Sequence, residues 1–349
     1  MTALWDLPDF DGHEGVHFFR DEASGLDAII ALHSTHLGPG AGGTRFWHYE
    51  NRATAVTDAL RLSRGMSYKN AMAGLPLGGG KAVILADAER RKSPAMLAAF
   101  GRMIDSLGGR YVTAEDVGIT TADMVAVARE TRFVSGLPVD KGDAGGDPGP
   151  FTAMGVYLGV KAAVQHKLGR ADMSGVHVAI QGIGSVGGGL ARLLAKDGAR
   201  LSIADIDKDA ATAMAAETGA QIVGLDAIAR IEADVFSPNA LGAILDKVSI
   251  ANLNVAIVAG GANNQLATRE DAQRLFDRGI LFAPDYVINS GGIINVGLEF
   301  LGNSNVDEVN ARVAQIPERL VEIWQESKAR NLPSAEVADQ MARKLIGRG

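Results

Sequence analysis

The chain of 349 residues contains no cysteine. That absence excludes a disulfide scaffold, a thiolate metal site and a cysteine nucleophile. There is no basic excess either: 34 Lys+Arg stand against 41 Asp+Glu, a net charge of −7. A nucleic-acid binder would normally carry a basic patch or stripe. No run reaches the roughly 18 uninterrupted apolar residues that span a bilayer. The first residues, MTALWDLPDFDGHEG, lack the basic and apolar regions of a secretory signal. The expectation is a soluble, cytoplasmic protein with neither nucleic-acid nor membrane partners. Hydrophobic residues make up 47 % of the chain, enough for a full core, and the length points to two domains.

Glycine is what the chain has in excess: 43 residues, roughly 12 %, against an average near 7 %. The glycines cluster at 38–43, 78–80, 142–149, 182–189, 260–261 and 291–292, without the period of a repeat array. They punctuate regular elements. Val16–Asp21 and Leu26–His33 read as an antiparallel hairpin turning at Ala23-Ser24-Gly25. Apolar spacing marks a helix over Thr54–Ser67, which Lys69 then follows, and Lys81 leads a strand running to Leu85. Ser93-Pro94 opens a helix that stops at Gly108-Gly109, Arg110–Thr113 is strand-like, and Thr120 with Asp123 resembles a capping box.

The stretch Lys141 to Pro150 has linker composition and divides the chain. Beyond it come a helix over Thr152–Leu168, a strand His177–Gln181, a helix from Ser185, a strand Arg200–Asp205 and a helix from Asp207. Further strands are expected at Ala233–Ser237, Val255–Ala259 and Ile280–Ala283, and two helices at Val306–Ser327 and Ser334–Ile346. Such alternation indicates an α/β fold: a Rossmann-type, NAD-binding domain over 148–327. A second α/β domain would occupy 1–147, completed by a C-terminal helix within 328–349, with a cleft between the domains.

Two groups of residues carry chemistry. Gly182-Ile-Gly184-Ser185-Val186-Gly187 joins an apolar strand to a helix, the context a dinucleotide fingerprint needs. Gly182 would allow the tight turn, Gly184 the approach of a pyrophosphate and Gly187 close packing of helix on strand. Asp205 ends the next strand, 18 residues after Gly187, where a carboxylate binds ribose hydroxyls and repels a 2′-phosphate. That favours NAD over NADP; Asp207 is the competing acid, with helix capping as its alternative role. The second group is Lys69, Lys81 and Asp116, each in or beside a glycine-rich loop. Two ammonium groups close together lower each other's pKa. One lysine can then hold a substrate carboxylate while the other acts as base, with the acid shuttling protons.

Gly42-Gly43-Thr44-Arg45, Met66-Ser-Tyr-Lys69-Asn70, Pro76-Leu-Gly-Gly-Gly-Lys81, Thr113-Ala-Glu-Asp116 and Thr152-Ala-Met-Gly-Val156 resemble the amino-acid dehydrogenase superfamily, in particular its leucine, phenylalanine and valine branch. Ala259-Gly-Gly-Ala-Asn-Asn-Gln-Leu266 and Ala283 to Gly292 extend the match, in order, over about residues 16–300. The resemblance implies that Lys69 binds the substrate α-carboxylate near the Gly42-Gly43 backbone. It implies Lys81 as general base and Asp116 as proton relay to the amino group. Thr152 would meet the nicotinamide carboxamide, Ala240 the adenosine side, and Asn263 or Asn264 the junction of cofactor and substrate. The reaction would be reversible oxidative deamination of an L-amino acid to a 2-oxo acid and ammonium, in a homo-oligomer, with 1–147 the substrate-binding and oligomerisation domain.

Positions matching the family's side-chain pocket are Ala41, Ala114, Ile293 and Val296. None offers a lysine or serine to a γ-carboxylate, which argues against glutamate. Ala41 leaves room as in some phenylalanine dehydrogenases, whereas Ile293 and Val296 are leucine-like. Branched-chain substrates lead and phenylalanine is second. A hydroxy-acid dehydrogenase would need a catalytic histidine, for which only His36 sits in a comparable loop. A non-catalytic NAD-sensing protein would not need the Lys69, Lys81 and Asp116 set. His33-Ser-Thr-His36 lacks a third ligand, so no metal site is expected.

Overall fold

The computed structural model describes residues 3–89, 91–138, 143–302 and 305–349. Lys141 and Gly142, at the head of the expected linker, lie outside them. The described residues cluster into two compact units. One lies within Met1–Asp147, Ile293–Glu308 and Ala342–Gly349, the other within Pro148–Gly292 and Val309–Met341.

In the first unit β1 (Gly15–Asp21) and β2 (Leu26–Ser34) form an antiparallel hairpin. β3 (Gly40–Ala41) and β4 (Thr44–Trp47) both run parallel to β5 (Gly78–Leu85) in one register, Gly40 beside Gly78 and Thr44 beside Ala82. They are thus a single strand interrupted at Gly42-Gly43. β6 (Tyr111–Val112) pairs with β3 and closes a sheet of order β1-β2-β5-β3-β6, with β4 also on β5. Alternate residues of β2 face opposite sides, and both sides are buried. Ile29 and Ala31 pack with Ala55, Val56, Ala59 and Leu60 of α1 (Arg52–Met72). Ala28, Ile30 and Leu32 pack with Phe100 and Ile104 of α2 (Pro94–Ser106) and Met124 and Val127 of α3 (Thr121–Val127).

Local signals are obeyed at these helix starts. The Ser93 side chain accepts from the Met96 amide, and Thr120 and Asp123 satisfy each other's backbone amides. Two elements depart from the sequence reading. α1 runs past Ser67 to Met72, because Tyr68, Ala71 and Met72 are still buried; the chain turns away only at Gly74, with φ +67°. Lys69 therefore stands in the last turn of the helix instead of after it. Likewise β5 begins at Gly78, so Lys81 is an interior strand residue, flanked by β2 on one side and the β3–β4 strand on the other.

In the second unit α4 (Gly149–Leu168) precedes β7 (His177–Gln181), α5 (Ser185–Lys196), β8 (Arg200–Ala204), α6 (Lys208–Thr218) and β9 (Gln221–Ile222). Then come β10 (Val235–Pro238), α7 (Lys247–Asn252), β11 (Ile257–Val258), α8 (Glu270–Asp277) and β12 (Leu281–Phe282). Every pairing is parallel and the order is β12-β11-β10-β7-β8-β9. Counted from β7 this is 3-2-1-4-5-6, a Rossmann-type sheet whose winding reverses between β7 and β10.

α9 (Asp285–Ile288), α10 (Gly291–Phe300), α11 (Val306–Val313), α12 (Ile316–Arg330) and α13 (Ser334–Leu345) complete the chain. The single helix expected over Val306–Ser327 is two, because Pro317 is tolerated only in a first turn. The tail is also shared differently from the expected 328–349 segment. Trp324 and Ser334 both donate to the Phe282 carbonyl, at 2.9 and 2.8 Å, and 309–341 belong to the second unit. Only 342–349 join the first, where Arg343 grips Asp11 at 2.8 and 3.0 Å and the Tyr68 hydroxyl at 2.9 Å.

Arg348 extends that clasp to His33, a fully buried residue of β2. Arginine only donates, so His33 Nε2 accepts from it at 2.8 Å and Nδ1–H points to Ser67 Oγ, also at 2.8 Å. Asp11 Oδ2 lies 3.4 Å from the same Nε2 but makes no ion pair with a neutral ring. Burial, with Arg348 adding to it, pushes the His33 pKa down to about 3. The unfolded chain therefore binds a proton that the native ring refuses, and stability falls as pH drops below about 6.5. The expected loss is about 2 kcal/mol between about pH 6.5 and 5. Urea unfolding at the two pH values should show it, and His33→Gln should flatten the dependence; an unchanged slope in that variant contradicts the assignment.

Candidate active site

The interrupted strand β3–β4 lies between β5 and the segment after β6, and this brings the reactive groups of the first unit together. Thr44 bridges to Glu115 in the register that pairs Gly40 with Tyr111, so Asp116 comes alongside Arg45 while Lys81 stands beside Gly43. The strands approach so closely that side chains are excluded at the interruption. A Cβ on Gly42 would strike the Gly80 carbonyl, and one on Gly43 the Glu115 carbonyl and the Asp116 Cβ. The Gly42 amide donates to Val112 O at 3.1 Å, and its carbonyl accepts from the buried Tyr111 hydroxyl at 2.6 Å.

Lys81 is 5 % exposed, and its Nζ donates to Asp116 Oδ2 at 2.7 Å. Burial pushes the ammonium pKa down, against the pull of Asp116. Lys81 and then Arg45 hold the Asp116 carboxyl down at about 2, overcoming the effect of its own burial. The cation acting most strongly on Lys81 is Arg45, where the sequence reading expected a second lysine. Lys69 is half-buried on α1, three residues from Met66, whose side chain lies beside Gly42, and one from Asn70. Asn70 donates to Ala41 O at 3.3 Å and Gly78 O at 2.6 Å, tying that helix face to the glycine strands.

The expected pocket residues divide. Ala41 is buried in one apolar cluster with Leu75, Leu77 and Val112, against which Ile293 packs. Val296 is buried on the same helix α10, whose Asn295 is anchored to both backbone groups of Gly145 at 2.8 Å. Ala114 is half-buried, and its carbonyl accepts from Thr44 N at 2.8 Å. Leu75, Leu77 and Val112 escaped the sequence reading because their shared cluster joins three separate stretches of chain. Arg45 was visible only as part of a motif, without a partner.

In the second unit the glycine loop sits where the sheet reverses. Gly182 has φ +84°, and a Cβ there would lie 2.7 Å from the Ala240 Cβ, so the loops after β7 and β10 touch. A Cβ on Gly187 would strike the Gly182 carbonyl. Gly184 meets nothing, and it and Ser185 are exposed at the N-terminus of α5, with half-buried Val186 next in its first turn. Those open amides and the helix dipole suit a phosphate, so the residues fit a dinucleotide. Asp205 follows β8 and is pinned beside the loop: Oδ2 accepts from Ile183 N at 2.7 Å and Oδ1 from Asp207 N at 2.9 Å. Asp207 itself caps α6 through the amides of Asp209 and Ala210, both at 3.0 Å.

Thr152 is in the first turn of α4, its hydroxyl on Pro148 O at 2.9 Å, and Gly292 backs onto that hydroxyl. Ala240 is exposed. Asn263 and Asn264 are both exposed, and the structure gives them different jobs. Asn264 takes a left-handed turn, φ 52°, while the Asn263 side-chain oxygen accepts from Asn289 at 2.8 Å. His36, the candidate of a hydroxy-acid dehydrogenase, lies under Gly347 of the C-terminal tail, and Gly40–Gly43 separate it in sequence from Arg45.

Known proteins resemble the chain that carries these groups along most of its length. A family profile described as Glu/Leu/Phe/Val dehydrogenase, dimerisation domain, matches residues 13–133, and one described as Glutamate/Leucine/Phenylalanine/Valine dehydrogenase matches 201–345. Leucine dehydrogenase of Geobacillus stearothermophilus is 45 % identical over 334 residues, 96 % of this chain and 90 % of that protein. Valine dehydrogenase of Streptomyces albus is 46 % identical over 342 residues, 97 % of this chain and 93 % of that one. The crystal structure of L-tryptophan dehydrogenase from Nostoc punctiforme superposes with a TM-score of 0.86 at 40 % identity, over 96 % of each chain. With both halves of the chain matched and the relatives aligned nearly end to end, the protein is an amino-acid dehydrogenase acting on CH–NH2 donors and belongs to the Glu/Leu/Phe/Val dehydrogenase family.

Proposed function

We propose that this enzyme oxidises a branched-chain L-amino acid with NAD and water, reversibly, giving the 2-oxo acid, ammonium, NADH and a proton. The observation that carries the chemistry is the buried Lys81 on Asp116, 2.7 Å apart, at a strand interruption kept free of side chains. The nicotinamide, when bound, supplies the hydride acceptor. Lys69 holds the substrate α-carboxylate as a charged ammonium. Lys81, deprotonated, takes a proton from the water that adds to the imino carbon. Asp116 passes protons to and from the amino group. Asp116 Oδ2 lies 2.7 Å from Lys81 Nζ, so a proton passed through Asp116 is exchanged beside the base.

Ala41, Ala114, Ile293 and Val296 line the substrate side chain in this reading, with no group to pair a γ-carboxylate. The relatives named for leucine and valine favour aliphatic substrates, whereas the neighbour named for tryptophan shows that the fold also serves large rings. On the cofactor side the residues are Gly182, Gly184, Ser185, Val186, Gly187, Thr152, Ala240 and Asn263, with Asn264 toward the substrate. Asp205 keeps lone pairs for two ribose hydroxyls, and its charge repels a 2′-phosphate. The chain assembles as a homo-oligomer through its first unit. Its family profile there is a dimerisation domain, and edge strand β1 exposes Phe18.

One assay tests substrate and cofactor together: NADH or NADPH formation at alkaline pH with Leu, Ile, Val, Phe, Trp, Ala and Glu. The aliphatic substrates should lead by kcat/KM, and NAD should exceed NADP by at least about a hundredfold, the size of a 2–3 kcal/mol charge repulsion. A lead for Phe or Trp overturns the side-chain reading, and parity of the cofactors overturns the role of Asp205.

A further inference from the structure

We propose that Arg45 is a positioning residue of this reaction: it shares the half-buried Asp116 carboxylate with Lys81, so that Lys81 can shed its proton without leaving that carboxylate unpaired. The proposal rests on the reading of Lys81 as base. Its ground is geometric. Lys81 Nζ and Arg45 Nε both donate to the same oxygen, Asp116 Oδ2, at 2.7 and 3.1 Å. Arg45 is fixed from its other end, Nη1 to Asp58 Oδ2 at 2.9 Å, and that oxygen also takes the Tyr49 hydroxyl at 2.5 Å. Arg45 cannot rotate away without breaking contacts to two acids on two elements.

A lysine alone on a buried carboxylate would be held protonated, since an opposite charge within about 4–6 Å shifts a pKa by about 1–3 units. It would then be no base. Arg45 changes this in two ways: its Nε keeps Asp116 Oδ2 hydrogen-bonded at 3.1 Å when Lys81 is neutral, and its charge repels the ammonium form of Lys81. Guanidinium does not titrate in proteins, so of the two cations only Lys81 releases a proton. Several charged or titratable groups on the elements packed around Lys81 are paired elsewhere: Arg52 of α1 with Asp27 of β2, Arg61 of α1 with Asp9, and Tyr68 of α1 with Arg343. Asp58 and Lys69 come from α1, Tyr111 from β6 is bonded to Gly42 O, and His33 of β2 is neutral and turned to Ser67 and Arg348. Asp58 pulls on Lys81 in the direction opposite to Arg45, and the Arg45–Asp58 bond limits that pull.

The test is kcat/KM for L-leucine at saturating NAD, from about pH 7 to about pH 11, in wild type, Arg45→Gln, Arg45→Lys and Lys81→Ala. The substrate amine titrates identically in all four, so differences between their profiles belong to the protein. In Arg45→Gln the acid-side midpoint should rise by about one unit, a roughly tenfold loss at the low end that closes toward the alkaline plateau. Arg45→Lys keeps a charge but loses the fork, and its midpoint should fall between the two. Should Arg45→Gln not fold, the shift in Arg45→Lys decides alone. A loss equal at every pH, with the midpoint unmoved, makes Arg45 merely structural and overturns the proposal. Retained turnover in Lys81→Ala overturns the base assignment and this proposal with it. An inactive Lys81→Ala beside an unmoved Arg45→Gln midpoint overturns this proposal alone.

Discussion

Replacing Lys81 with alanine is expected to lower kcat by at least about a thousandfold while NADH still binds within a few-fold of wild type. A positioned general base contributes about 10²–10⁴-fold, and in the proposed reaction Lys81 is the group that activates water. Arg45 remains on Asp116 at 3.1 Å, so the substitution leaves no unpaired buried charge to unfold the sheet. The proposed cofactor loop, Gly182 to Gly187, lies on other elements, so cofactor binding is a separate measurement by NADH fluorescence. Lys81→Met keeps the apolar stem of a residue buried in a strand interior and controls for packing. Near-normal kcat in either variant ends the case for Lys81 as base. Loss of NADH binding in both would move the defect away from proton transfer.

Gly43→Ala is expected to lower kcat about a hundredfold, although it adds one methyl to a residue with no side chain in the chemistry. The new Cβ would collide with the Glu115 carbonyl and reach the Asp116 Cβ, so the segment carrying Asp116 must move away from Lys81. Misplacing a reacting group by about 1 Å can cost about 10²-fold. Part of the effect should appear as stability, because Thr44 N to Ala114 O at 2.8 Å and the paired Thr44 and Thr113 hydroxyls at 2.6 Å share that seam. Steady-state kinetics beside a thermal melt separates the two. A variant that folds and turns over like wild type would show that the strands yield at no cost.

These expectations draw differently on sequence and structure. The hairpin, the caps at Ser93, Thr120 and Asp207, and β7, β8 and α5 were legible because each depends on a few neighbouring residues. Lys81 and Asp116 were legible as candidates because each stands in a short motif beside a glycine, Gly80 before Lys81 and Gly118 after Asp116. The end of α1 was not, since Tyr68, Ala71 and Met72 remain helical through burial against distant residues. Arg45 was missed for the same reason: its partners Asp58 and Asp116 are 13 and 71 residues away. Leu75, Leu77 and Val112 joined Ala41 only once β3, β5 and β6 were laid side by side.

The glycine excess and the absence of cysteine by themselves determined much about this protein. Without cysteine no thiol chemistry is open to it, and glycine clusters such as Gly42-Gly43 and Gly78 to Gly80 mark where chain segments approach closely. Only the tertiary structure decided which cation stands beside Lys81 on Asp116. Sequence spacing records distance along the chain, whereas a pKa answers to burial and to charges a few ångström away. Lys81 and Arg45 on one oxygen of Asp116 exist as a trio only because three parallel segments share a register.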